Sequence, residues 1–114
     1  MGVLDTFTVL AEPNRREILE VLREDEASVG QLVDHLGLSQ PAVSKHLRIL
    51  RESGMVSVRP QGQQRMYGLE TAPLEELDEW LEPYRRRWSR ALDRLDTHLS
   101  VTRRPDVGIE GDQP

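Results

Sequence analysis

The chain has 114 residues, 37% of them hydrophobic, and a formal charge of −5 at neutral pH. That is enough for one modest core and too little for a two-domain enzyme, and the absence of cysteine rules out disulfides, thiolate metal sites and a cysteine nucleophile. No basic start leads into an apolar run, and no stretch nears the roughly 20 apolar residues that span a bilayer, so a cytoplasmic protein is expected.

Leu4, Phe7 and Leu10 recur at helical spacing and predict a short first helix ending at Glu12, because Pro13 disfavours helical backbone in the residue before it. Pro13 opens a second helix, with Ile18, Leu19 and Leu22 as its buried stripe and Asn14, Arg15 and Arg16 exposed in its first turn. It fades in the charged run Arg23-Glu24-Asp25-Glu26. Ser28 caps a third helix, with Gln31 at capping-box spacing, and Gly37 ends it after about two turns.

Only Gly37 and Leu38 separate that stop from Ser39, the cap of a fourth helix that carries Pro41 in its first turn and ends at Gly54. Two helices joined so tightly form a helix-turn-helix. Around the second of them Val43, His46, Leu47 and Leu50 share one side, while Ser44, Lys45 and Arg48 share another. The period then changes to two: Val56 and Val58 alternate with polar residues, Pro60-Gln61-Gly62-Gln63 makes a turn, and Arg65, Tyr67 and Leu69 alternate in return. A two-stranded hairpin directly behind a helix-turn-helix is a wing.

Thr71 caps a last helical region starting near Pro73, with an apolar stripe at Leu74, Leu77, Leu81, Tyr84, Trp88, Leu92, Leu95 and Leu99. Pro83 predicts a kink or break near Glu82 and two helical pieces rather than one rod. Residues 103–114 have little to bury and read as a disordered tail. The expected architecture is mainly α with a small β-hairpin: a winged helix-turn-helix domain over 1–102, with its core at 3–70, the helix-turn-helix at 28–54, the wing at 56–69 and C-terminal helices over 72–100.

Charge is unevenly placed. Between Ser39 and Tyr67 five cations, Lys45, Arg48, Arg51, Arg59 and Arg65, face one acid, Glu52, so this stretch carries +4 and the remainder −9. With a Debye length of about 8 Å at physiological salt, that local patch governs an approaching polyanion more than the total does. Gln40, Ser44, Lys45 and Arg48 are the expected groove-facing residues: glutamine can pair two-pronged with adenine, arginine with guanine or equally with a phosphate, and serine and lysine suit bases or phosphates. Ser39 and His46 border this set, and Arg59, Gln63, Gln64 and Arg65 place phosphate or minor-groove donors on the wing. A solvated amphipathic helix carries such charges too, and edge strands bear cations against aggregation. Cap, tight turn, basic patch and hairpin in succession favour DNA. No glycine-rich phosphate loop, nucleophile elbow or zinc-protease signature supports an enzyme.

The segments LAEPNRREILEVL (Leu10 to Leu22), SVGQLVDHLGLSQPAVSKHLRILRESGMV (Ser28 to Val56) and RPQGQQRMYGL (Arg59 to Leu69) resemble the ArsR family of bacterial winged-helix transcriptional repressors, over roughly residues 3 to 99. The resemblance implies a homodimer on double-stranded DNA, its two recognition helices in successive major grooves about 34 to 36 Å apart on a palindromic operator. The cysteine pair of the family's metal sensors would fall around Gln31 to Asp34, where there is none, and the acid and histidine pattern of their last helix is incomplete. The expected branch has no obvious metal site and no cofactor, and a regulator gated by an unknown small-molecule inducer, with a pocket near Trp80 and Trp88, is a further reading that overlaps the DNA-binding one. Phe7, Leu77, Trp80, Leu81, Tyr84, Trp88, Leu92 and Leu95 are the expected dimer interface. The alternative is a winged-helix module that binds protein through its C-terminal apolar stripe.

Overall fold

The computed structural model describes residues 2–102, with side chains through Leu99; the expected tail at 103–114 lies outside the described residues. The elements are α1 (Val3–Leu10), α2 (Pro13–Glu24), β1 (Ala27–Ser28), α3 (Val29–Leu36), α4 (Gln40–Glu52), β2 (Val56–Gln61), β3 (Gln64–Leu69) and α5 (Ala72–Thr102). The chain divides into two compact units at the Trp80-Leu81 bond.

Helix α1 stops at Leu10, short of the expected Glu12, because Glu12 is extended and serves as the N-cap of α2. Its carboxylate accepts from the Asn14 amide at 2.6 Å. Arg15 and Arg16 turn back onto α1: Arg15 Nε donates to the Val9 carbonyl at 2.9 Å and Arg16 Nη1 to the Leu10 carbonyl at 2.7 Å. Both cations thus serve the carbonyls that the end of α1 leaves without helical partners. Arg15 is accordingly half-buried rather than exposed as expected.

The caps of the helix-turn-helix follow the sequence closely. Ser28 Oγ accepts from the Gln31 amide at 3.3 Å while Gln31 Oε1 accepts from the Ser28 amide at 2.8 Å. Ser39 Oγ accepts from the Ala42 amide at 3.3 Å. Gly37 (φ +71°) and Gly54 (φ +81°) adopt the left-handed conformation that ends each helix. Ile18, Leu32, Val43, Leu47, Leu50 and Met55 are almost completely enclosed, so α2, α3 and α4 share one core, extended by Val9, Ala27 and Val56.

The expected two-stranded hairpin is part of a three-stranded antiparallel sheet in the order β1-β3-β2. Ala27 pairs with Tyr67 and Ser28 with Met66, which makes β3 the middle strand. The turn is also tighter than expected: Gln61 pairs with Gln64, so Pro60 and Gln61 belong to β2 and only Gly62-Gln63 form the loop. Gly62 has φ +63° whereas Gln63 does not have positive φ, the pattern of a type II′ turn. Pro60 is tolerated because β2 is an edge strand, where an absent N–H costs no ladder bond.

Of the expected kink or break at Pro83, the break into two helical pieces does not occur; α5 is one helix through it. A proline removes only its own bond to the fourth residue back, and pairs from Glu82 to Arg85 (3.4 Å) and Arg86 (3.2 Å) staple the adjoining turns. The Thr71 hydroxyl, expected to cap α5, instead donates to Glu75 Oε2 at 2.7 Å.

Candidate nucleic-acid interface

Helix α4 separates its two tasks cleanly. Val43, Leu47 and Leu50 are buried in the core, and Gln40, Ser44, Lys45, Arg48 and Arg51 are exposed on the other side. Ser39, at the amino end, is exposed beside them. His46 does not join this set: it is half-buried, its Nδ1 3.5 Å from Arg15 Nη1, so it can accept from the guanidinium and tie α4 to α2.

The wing carries its two arginines on opposite faces. Arg65 pairs with Pro60 and Arg59 with Met66, adjacent positions whose side chains alternate across the sheet. Gln63 at the loop and Gln64 at the start of β3 are exposed. Arg51 and Arg65 line a cleft of about 340 Å³ between the end of α4 and the wing, with Val58, Arg59 and Pro60 completing its wall. Guanidinium forks match phosphate oxygens geometrically as well as electrostatically.

Arg59 is not free in this arrangement. Its Nε lies 3.1 Å from both Glu26 carboxylate oxygens and its Nη2 2.6 Å from Oε1. These bonds hold the Glu26 carboxyl below the usual carboxylate range and push the Arg59 guanidinium higher still. Sequence reasoning missed Glu26 because it reads as the last charge of a solvated run, 13 positions before Ser39. Its place beside the wing depends on β1 pairing with β3, which no local pattern announces.

The expected interface residues leave apolar surface open. Phe7 is 41% exposed and Trp80 44%, their rings edge to face with centroids 5.3 Å apart. On α5 Tyr84, Trp88, Leu92 and Leu95 are exposed, and Leu77 and Leu81 are half-buried. Among the described residues no three His, Cys, Asp or Glu side chains gather where one metal ion could be held, and no helix is long and apolar enough to cross a membrane.

A capped helix with one buried and one basic face, set behind a tight turn and ahead of a cationic hairpin, defines a winged helix-turn-helix protein. Residues 12–58 match the family described as "Bacterial regulatory protein, arsR family". The chain is 31% identical to the transcriptional repressor SdpR of Bacillus subtilis over 77 residues, covering 68% of this chain and 86% of the repressor. It is 41% identical over 86 residues to an HTH-type transcriptional regulator of Mycobacterium tuberculosis, covering 75% and 78% of the two chains. The solved structure of an ArsR-like transcriptional regulator from Rhodococcus superposes with a TM-score of 0.67 at 28% identity, over 88% of this chain and 92% of that one. The chain belongs to the ArsR family of bacterial regulatory proteins.

Proposed function

We propose that the chain is a sequence-specific DNA-binding transcriptional regulator, a homodimeric repressor on a palindromic operator. The observation that carries this reading is α4: Val43, Leu47 and Leu50 fix it in the core while Gln40, Ser44, Lys45 and Arg48 stand clear on the opposite side. In a major groove, Arg48 reads guanine, Gln40 reads adenine, Ser44 and Lys45 add bases or phosphates, and the Ser39 end of the helix meets the backbone. Arg65 and Gln63 on the wing, with Arg59 in reserve, reach the flanking phosphates. His46 supports the helix from behind through Arg15.

A dimer is supported by the exposed Phe7, Trp80, Tyr84, Trp88, Leu92 and Leu95, and repression by the name of the Bacillus subtilis relative. The relatives are regulators rather than enzymes. A cytoplasmic location fits a protein whose partner is chromosomal DNA. A cleft of about 460 Å³ lined by Tyr84, Arg87, Trp88, Ala91 and Arg94 supports an inducer site at Trp88 rather than Trp80.

Selection of bound sequences from a random duplex pool tests the reading. The expected product is an inverted repeat with half-sites one helical turn apart, about 10 to 10.5 base pairs centre to centre, lost when Lys45 and Arg48 are replaced by Ala. Failure to enrich any sequence, together with a salt-insensitive protein interaction that ignores Arg48, would transfer the assignment to the protein-binding alternative.

A further inference from the structure

Glu26 and Arg59 form an ion pair against the wing, with Arg59 Nη2 2.6 Å from Glu26 Oε1. Glu26 lies at the edge of the sheet formed by β1, β3 and β2, and its side chain crosses the middle strand at Gly68: a Cβ there would stand 3.4 Å from Glu26 Oε2 and 3.5 Å from its Cγ. With no side chain in the way, the carboxylate reaches Arg59 on the far strand and takes both Nε and Nη2. These form the side-on edge of the guanidinium, one of its two two-pronged faces. Lys45, Arg48, Arg51 and Arg65 have no such acid: among the described residues no ion pair engages any of them.

We infer that Glu26 is an internal counter-ion that withholds Arg59 from the DNA backbone and so lowers the sequence-independent part of DNA affinity. The inference rests on the DNA-binding reading above. A phosphate that approaches Arg59 must either displace the carboxylate, leaving an unpaired negative charge beside a polyanion, or bind at Nη1 with that charge still in place. In both cases the Arg59-Glu26 unit is electrically neutral and releases little of the counter-ion atmosphere that drives non-specific binding. Base contacts from α4 lie outside this unit and keep their full value, and because phosphates are common to every duplex the weaker backbone grip lowers operator and random-sequence affinity alike. In space the basic island has two acids, Glu26 and Glu52, against its five cations.

The test is a double-mutant cycle on the full-length chain, with Glu26→Gln, Arg59→Ala and the pair, all near-isosteric or exposed changes checked for folding by circular dichroism. Binding to a 30-base-pair duplex of random sequence is followed by fluorescence anisotropy across a salt series. Glu26→Gln should tighten binding about threefold to tenfold per protomer near 0.1 M salt and steepen the log affinity against log salt slope by about 0.9 per protomer. Arg59→Ala in the native background frees the Glu26 charge and should itself weaken binding, whereas the double variant, with neither charge, should lose the whole Glu26→Gln gain and bind as the native chain does. The selected operator and the random duplex should gain by a similar factor, because the phosphates Arg59 reaches are common to both. Unchanged or weaker binding by Glu26→Gln overturns the proposal by showing that Arg59 already grips phosphate or needs Glu26 for its aim. A folded native protein that binds no duplex even at low salt overturns the DNA reading itself, and the inference with it.

Discussion

Leu47 and Arg48 are chain neighbours with opposite duties. Leu47 is 1% exposed among Ile18, Leu32 and Leu50, whereas Arg48 is exposed without an ion-pair partner among the described residues. Leu47→Ala leaves a cavity and should cost about 2 to 5 kcal/mol of folding stability. Arg48→Ala should leave unfolding within about 0.5 kcal/mol of the native protein and cost about 1 to 3 kcal/mol of affinity for the selected operator. Denaturant titration and anisotropy on the same two variants separate the effects. Equal loss of stability by both would mean that Arg48 packs rather than reads. This division was legible in the sequence because helical period alone assigns the two faces. The Arg15-His46 contact and the Arg59-Glu26 clasp were not, since each joins positions 31 or more apart that share no local pattern.

At the scale of elements, legibility follows the range of the interactions that define each one. Ser28 with Gln31, Ser39, Gly37 and Gly54 cap helices through bonds or φ angles within a few residues, so the sequence alone locates α3 and α4. Strand β1 is two residues long and exists only through Tyr67 and Met66, about 40 positions away. Pro83 misleads in the other direction: its local penalty is real, but one lost bond is outweighed by the turns on either side of it. Pro83→Ala should therefore restore a bond rather than join two helices. Hydrogen exchange in the turn from Glu79 to Pro83 should slow, while the total helical signal near 222 nm changes little. A large rise in that signal would indicate that the native helix is broken at Pro83 in solution.

At the scale of the whole molecule, the open question is what covers Trp88 and Leu92, 48% and 58% exposed on a 31-residue helix. An apolar stripe of that length is stable in water when another surface removes it from solvent. A second copy offers the same stripe, and a two-fold pairing of like surfaces also supplies the symmetry a palindromic operator demands. The net charge of −5 on each chain opposes association only weakly at physiological salt, where separations beyond about 8 Å are screened. Leu92→Glu puts a charge in the middle of the proposed contact and should yield monomers in sedimentation at micromolar concentration, with the fold retained by circular dichroism. Because the dimer's second recognition helix binds at a high effective concentration, affinity for the full palindrome should fall about 10²-fold to 10⁴-fold, while affinity for an isolated half-site should hold. A native chain that sediments as a clean monomer yet binds the palindrome tightly would remove the dimer from the mechanism and leave the stripe to another partner.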